Sequence, residues 1–307
     1  MSEPDRTASL MTPAKLAQTA PRAPASPGAW LTQMAADAGH QHVARLAELC
    51  SELEGQARAR DFRPVSGALQ KLADALPQLD FSLLQARGWW ARTTGKSKSA
   101  GAEFAAQFEQ LDDLVTQLAA QTQAMQKAQQ EQASPGERTL VEAEVEYRAI
   151  EKIIDQGARW LQDMRNQLKA RHATAADEQS QQAIKDDAAR CEILVARLKT
   201  LRAVSSAAQQ AHEQAQAAAG RRAALAQLLQ QAVTANAKGW RNRLSTLASV
   251  AGDDSAPALN MEGPMESHRE LQLGIKQAIA DCGQLQAQEK LLGEGIEALR
   301  AQLAGAR

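Results

Sequence analysis

The stretch VEYRAIEKIIDQGARWLQDMRNQL (residues 145–168) places Tyr147, Ile150, Ile154, Leu161, Met164 and Leu168 at steps of three, four and seven. Steps of that size return apolar side chains to one side of a helix with 3.6 residues per turn. The stretch belongs to a longer run, because no proline occurs between Pro135 and Pro257 and the intervening residues are dense in Ala, Gln, Glu, Leu, Lys and Arg. Proline is the strongest helix breaker and average helices run about three turns, so a chain that omits it for so long uses helix length as architecture.

Working outward, Ile184, Ala188, Cys191, Leu194, Leu198 and Leu201 continue the pattern, and Ala208, Ala211 and Ala215 thin it toward Gly220. Between the two stripes, Thr174 to Asp177 has the spacing of a capping box, so a turn is expected near His172 to Ala176. Upstream, Phe104, Phe108, Leu111, Val115, Leu118 and Met125 alternate by four and three, with polar Thr122 interposed. That is the rhythm of a coiled-coil seam. Ser134-Pro135-Gly136-Glu137 reads as a boundary, with Ser134 as N-cap, Pro135 at the first helical position and Glu137 reaching back. Two separate helices joined as an antiparallel hairpin are therefore expected there. Downstream, Leu225 and Leu229 lead through Trp240 to Leu244 and Leu247. The last ladder runs Leu271, Ile275, Ala278, Cys282, Leu285, Leu292, Ile296, Leu299 and Leu303.

The remaining segments are punctuated more heavily. Residues 1–26 carry Pro4, Pro13, Pro21 and Pro24 among Ser, Thr and Ala, and read as a disordered tail. Residues 27–86 hold short helices: one capped by Ser26 before Pro27, with Gly39 as an interruption, and one from Val65 to Leu76 between Pro64 and Pro77. Residues 87–101 form a basic, Trp- and Gly-rich loop. Residues 102–252 form the long-helix coiled-coil region, 253–266 a linker and 267–307 a C-terminal coiled-coil helix. The expected fold is all-α, an elongated bundle of long antiparallel coiled-coil-like helices with a disordered N-terminal tail.

Composition narrows the function classes. Aromatic residues make up only 3% of 307 residues, which suits narrow Leu and Ala seams better than a thick core. A net charge of −1 supplies no whole-chain field for nucleic acid, and no nucleic-acid partner is expected. Cys50, Cys191 and Cys282 are odd in number and widely spaced, matching neither a disulfide framework nor a zinc signature. Acidic Glu3 and Asp5 sit in a start without the apolar core of a secretory signal, and no run approaches the roughly 18 apolar residues of a membrane span. The expected location is the cytoplasm.

Several residues invite a chemical reading. Gly95-Lys96-Ser97 is like the end of a phosphate-binding loop, but Trp90 stands where its first glycine belongs. Arg87, Arg92, Lys96 and Lys98 surround the pair Trp89 and Trp90, a combination suited to an anionic surface or a partner. The bland alternative is a basic loop whose rings seal the end of a bundle. Trp240, Arg241 and Arg243 form a partner or packing patch. His40 and His42 point to different sides of a helix and do not chelate one ion. Cys191 and Cys282 lie on apolar stripes as small hydrophobes. Glu142, Glu144 and Glu146 spread around a helix axis and are expected to face solvent. Neither a metal, a cofactor nor a catalytic group is expected.

In order along the chain, Gly88-Trp89-Trp90-Ala91-Arg92, the helix from Phe104 to Val115, Trp240-Arg241-Asn242 and the charged last helix from Leu271 to Leu303 resemble the tellurite-resistance TelA family, or toxic anion resistance proteins. The similarity spans about residues 60 to 305. Gly239 before the tryptophan departs from the family pattern, and the arms here are richer in Ala and Gln. The resemblance implies a cytoplasmic bacterial protein of long helices, without catalysis, serving resistance to tellurite, other toxic anions or envelope stress. It would act through protein partners on coiled-coil faces, with homo-oligomerisation and a weak anionic-membrane contact as further expectations. The alternative is a coiled-coil scaffold or adaptor of a secretion, cell-division, phage or plasmid system.

Overall fold

The computed structural model describes residues 37–84, 96–251 and 260–306. Among them every regular element is helical: α1 His40–Arg58, α2 Arg63–Ala75, α3 Lys96–Thr174, α4 Glu178–Leu229, α5 Ala237–Ala251 and α6 Glu262–Ala306. Short 3-10 turns at Leu76–Gln78 and Phe81–Leu84 follow α2, and a π-helical segment, Gln230–Asn236, joins α4 to α5. The expected all-α fold of long packed helices is what the chain adopts. The expected tail at 1–26, most of the loop at 87–101 and half of the linker at 253–266 lie outside the described residues.

Local chemistry explains most of the helix ends. Gly39 has φ +69, a left-handed conformation natural to glycine, and it ends the turn before α1. Pro64 sits in the first turn of α2, where its missing N–H costs nothing. Between α3 and α4 the chain turns at residues 175–177, as expected, but the cap is Asp177. Its carboxylate accepts the Ser180 N–H at 3.0 Å and the Ser180 hydroxyl at 2.5 Å. At α6 the helix starts inside the expected linker, because Pro264 falls in its first turn and the Asn260 side chain accepts the Glu262 N–H at 3.1 Å. Likewise α3 begins at Lys96, within the run read as a loop.

One expectation is overturned. Ser134 and Pro135 do not separate two helices, because α3 runs through Pro135 without a reversal. A proline in a helix interior removes one hydrogen bond and pushes aside the carbonyl four residues back. Here that carbonyl belongs to Glu131, and both Glu131 and Pro135 are exposed, so water replaces the lost donor. Thr139 Oγ1 donates to the Pro135 carbonyl at 2.9 Å and steadies the turn that follows.

The chain divides into two compact units, and within α3 the division falls between Ser134 and Pro135. The first unit takes residues 1–58, 135–216 and 290–307. In it α3 and α4 form an antiparallel pair: Arg171 meets Asp187, Gly157 meets Leu198, and Tyr147 meets Ser205. A Cβ on Gly157 would lie 2.8 Å from Leu198 Cδ1, so the small residue permits the close approach. Helix α1 lies antiparallel to α3, with His42 on Glu146 and Gln56 on Thr139. Arg197 donates to the Ala38 carbonyl at 3.1 Å and to the Ala306 carbonyl at 2.5 Å, holding the C-terminal end of α6.

The second unit takes residues 59–134 and 217–289. Its core joins Val65, Leu69 and Leu72 of α2, Phe104, Leu111, Val115 and Leu118 of α3, Trp240, Leu244 and Leu247 of α5, and Leu271, Ile275 and Leu285 of α6. These are the stripes expected from the spacing.

Two glycines of α1's neighbourhood give opposite forecasts. At Gly39 an alanine combines an unfavourable φ with a Cβ 3.0 Å from Leu201 Cδ2, so Gly39→Ala should cost about 1–2 kcal/mol. At Gly55, where no atom would crowd an added Cβ, Gly55→Ala should stabilise by about 0.5–1 kcal/mol. Urea unfolding of both variants measures the two signs; the same sign for both would contradict the assigned backbone.

Candidate functional site

In the second unit the polar centre is an imidazole set among rings. Trp240 is fully buried, and its Nε1–H donates to His268 Nδ1 at 3.2 Å. Nδ1 is therefore the acceptor, the proton resides on Nε2, and Nε2 donates to the Leu76 carbonyl at 3.1 Å. The Phe81 ring meets the imidazole edge to face at 5.4 Å, and Phe108 tilts against Trp240 at 5.5 Å. Burial pushes the His268 pKa below its usual 6.5, against the smaller opposing effect of the Leu76 carbonyl. This arrangement ties α5, α6 and the 3-10 turn after α2 through one neutral ring.

The patch expected around Trp240 thus separates into different roles. Trp240 belongs to the core, while Arg241 Nε is bound by the Asp112 carboxylate and its Nη2 donates to Thr116 Oγ1 at 2.6 Å, clamping α5 to α3. Arg243 Nη1 reaches the Gly263 carbonyl at 3.4 Å at the start of α6. Sequence spacing had no means of pairing Trp240 with His268, since polar His268 lies just outside the apolar ladder that starts at Leu271. Of the basic run, Arg87, Trp89, Trp90 and Arg92 lie outside the described residues; Lys96 opens α3 and Lys98 is exposed on its first turn.

In the first unit the three alternating glutamates, expected to face solvent, are half-buried and each is engaged by a basic side chain. Glu146 accepts from His42 Nδ1 at 2.6 Å, Glu142 is held by Arg45 and by Arg138 Nε at 2.8 Å, and Glu144 pairs with Arg148. Arg138 and then Arg45 keep the Glu142 carboxyl below the ordinary carboxylate range. Exposed in their stead are Val141 and Val145, at 55% and 50%. The spacing does not show this because His42 and Arg45, which hold Glu146 and Glu142, come from α1, nearly a hundred residues earlier, while Glu144 pairs within α3. Beside them Tyr147 meets buried His212 edge to face at 5.8 Å. An open groove of about 350 Å³, lined by Tyr147, Arg148, Glu151, Lys152, Asp155 and Gln209, borders that pair.

Cys50, Cys191 and Cys282 are all buried and free. Burial raises each thiol, Cys282 to about 11, so they stay protonated near neutrality and behave as small apolar residues. His40 is exposed while His42 is engaged by Glu146, and among the described residues no group of three or more His, Cys, Asp or Glu is placed to hold a metal ion. No helix among them is long and apolar enough to cross a membrane. Comparison with family models, curated proteins and solved structures finds no match for this chain.

The imidazole centre makes stability depend on pH with a definite sign. A base whose folded-state pKa is depressed takes up a proton more readily when unfolded, so its contribution is complete above about 6.5 and is lost as pH falls toward the depressed value. Urea midpoints should therefore drop between pH 7 and 5, and part of that slope should vanish in His268→Phe; an unchanged slope would show that this ring does not carry it. Trp240→Phe leaves Nδ1 buried without its donor and should cost about 1–3 kcal/mol at pH 7.5.

Proposed function

We propose that this chain is a non-catalytic cytoplasmic helical protein that works through protein contacts along its helices. The observation that carries this reading is the exposed pair Val141 and Val145, four residues apart on α3 between charged side chains. Apolar positions at that spacing suit the facing stripe of a partner helix, with flanking charges choosing the partner. A second copy of the chain is one such partner, giving a homo-oligomer. Buried thiols without disulfides fit a reducing compartment.

The resemblance to the tellurite-resistance TelA family supports placing that work in tolerance of tellurite, other toxic anions or envelope stress. In that setting the basic run from Arg87 to Lys98 would meet an anionic surface or a partner.

Deleting the encoding locus should lower tolerance to tellurite or to envelope-damaging agents, and the wild-type gene should restore it. A Val141→Glu, Val145→Glu double variant, altered only at exposed positions, should fold normally yet fail to restore tolerance. Unchanged tolerance on deletion, across a panel of such agents, would refute the stress reading; recovery of the protein with one dedicated secretion or division machine would favour a scaffold.

A further inference from the structure

We propose that Arg60 and Arg222, which share Glu289 in the second unit, form a binding site for a small free oxyanion of the phosphate or sulfate class. The proposal starts from a charge imbalance in a nearly covered place. Arg60 lies just before α2, Arg222 on α4 and Glu289 on α6, and their side chains are only 12%, 12% and 17% exposed. Two guanidinium groups thus share one carboxylate away from bulk water. Arg222 Nη1 is bound tightly by one Glu289 oxygen. Arg60 Nη1 stands 3.9 Å from the other, too far for a hydrogen bond.

Neighbouring groups do not restore the balance. Asp61, next to Arg60 in the chain, is committed to Arg63, whose backbone N–H and Nε donate to it at 3.0 and 2.9 Å. Arg221, next to Arg222, donates to the neutral amide oxygen of Gln284 at 2.5 Å and so adds positive charge without a counter-charge. Burial and the repulsion of Arg222 outweigh the attraction of Glu289 at Arg60 and draw its pKa down. Arginine nonetheless keeps its proton, so the excess charge persists. A buried unpaired cation is costly, and an anion bridging the two guanidinium groups removes that cost. Arginine's planar fork of N–H donors matches an oxyanion's paired oxygens, which favours phosphate or sulfate over chloride. With both side chains only slightly exposed, a small free ion is favoured over a phosphate borne on a lipid or a polymer.

Calorimetric titration of the full chain with inorganic phosphate at low ionic strength and pH 7.5 tests this. Wild type should bind one phosphate saturably, with sulfate competing and chloride competing poorly. Arg60→Gln and Arg222→Gln should each weaken binding about tenfold or more, the scale of one charged hydrogen bond. Arg269→Gln, which alters an exposed arginine of the same unit that takes no part in this cluster, should leave it unchanged. Glu289→Gln keeps an acceptor for Arg222 but removes the competing charge, and should tighten binding. Absence of saturable binding by wild type, or equal affinity in Arg60→Gln, would overturn the proposal. Should circular dichroism show an arginine variant to be unfolded, Glu289→Gln decides, and its failure to tighten binding would do the same. The site stands apart from the stress reading: phosphate binding with unaltered tolerance on deletion would keep one and discard the other.

Discussion

Each helix of this protein exposes backbone and polar side chains to water on most of its circumference and must bury one narrow apolar stripe against its neighbours. That seam sets where the helices continue and where they stop. Burying a Leu or Ile contributes about 1.5–3 kcal/mol, whereas one proline in a helix interior costs about 3 kcal/mol. With Leu118 and Met125 buried before Pro135 and Ala143, Tyr147 and Ile150 buried after it, the seam outweighs the breaker and α3 continues. The helix gives way at residues 175–177, where no buried residue intervenes between Leu168 and Ile184 to hold a stripe.

Narrow seams also leave little room for polar atoms, and several of those that enter are paired, although Thr122 Oγ1 and His212 Nδ1 are buried without a hydrogen-bond partner. Burial favours the neutral form of His268, whose two ring nitrogens meet the Trp240 N–H and the Leu76 carbonyl. Buried Asp187 lies between Arg171 and Arg190, and buried Thr139 donates to the Pro135 carbonyl. Arg60 and Arg222 share Glu289 in the same two-to-one ratio but are only 12% exposed, whereas Arg171 and Arg190 reach solvent at 42% and 36%, so only the Glu289 cluster leaves its excess charge away from water.

Much of this architecture is legible in the sequence because apolar periodicity reports directly on which side of a helix is buried. Ile150, Leu194, Leu201, Ile275 and Leu299 all fall where the spacing places them. Gly39, Pro64 and the turn before α4 are likewise local signals with local causes. Pro135 misleads because Ser-Pro-Gly-Glu is the signature of a helix start, and only the register of the flanking stripes shows that the chain need not reverse. Even so, it marks the division between the units.

The polar sites are less legible for a different reason. Trp240 with His268, Glu146 with His42, and Arg60 with Glu289 join residues on separate elements, the last two pairs far apart in the chain. No local spacing encodes such encounters, which depend on which helices pack and in what register. The exposed valines of α3 and the half-buried Glu142 and Glu146 held by α1 follow the same logic.

The claim that seams overrule breakers is tested most directly by hydrogen exchange at the amides of Gly136 and Glu137. In a continuous helix these donate to the carbonyls of Gln132 and Ala133, and their exchange should be slowed to the same order as amides elsewhere in α3. In a helix that begins at Pro135 they would be among the first-turn N–H groups without intrahelical partners. Exchange at the rate of an unstructured peptide would contradict the account.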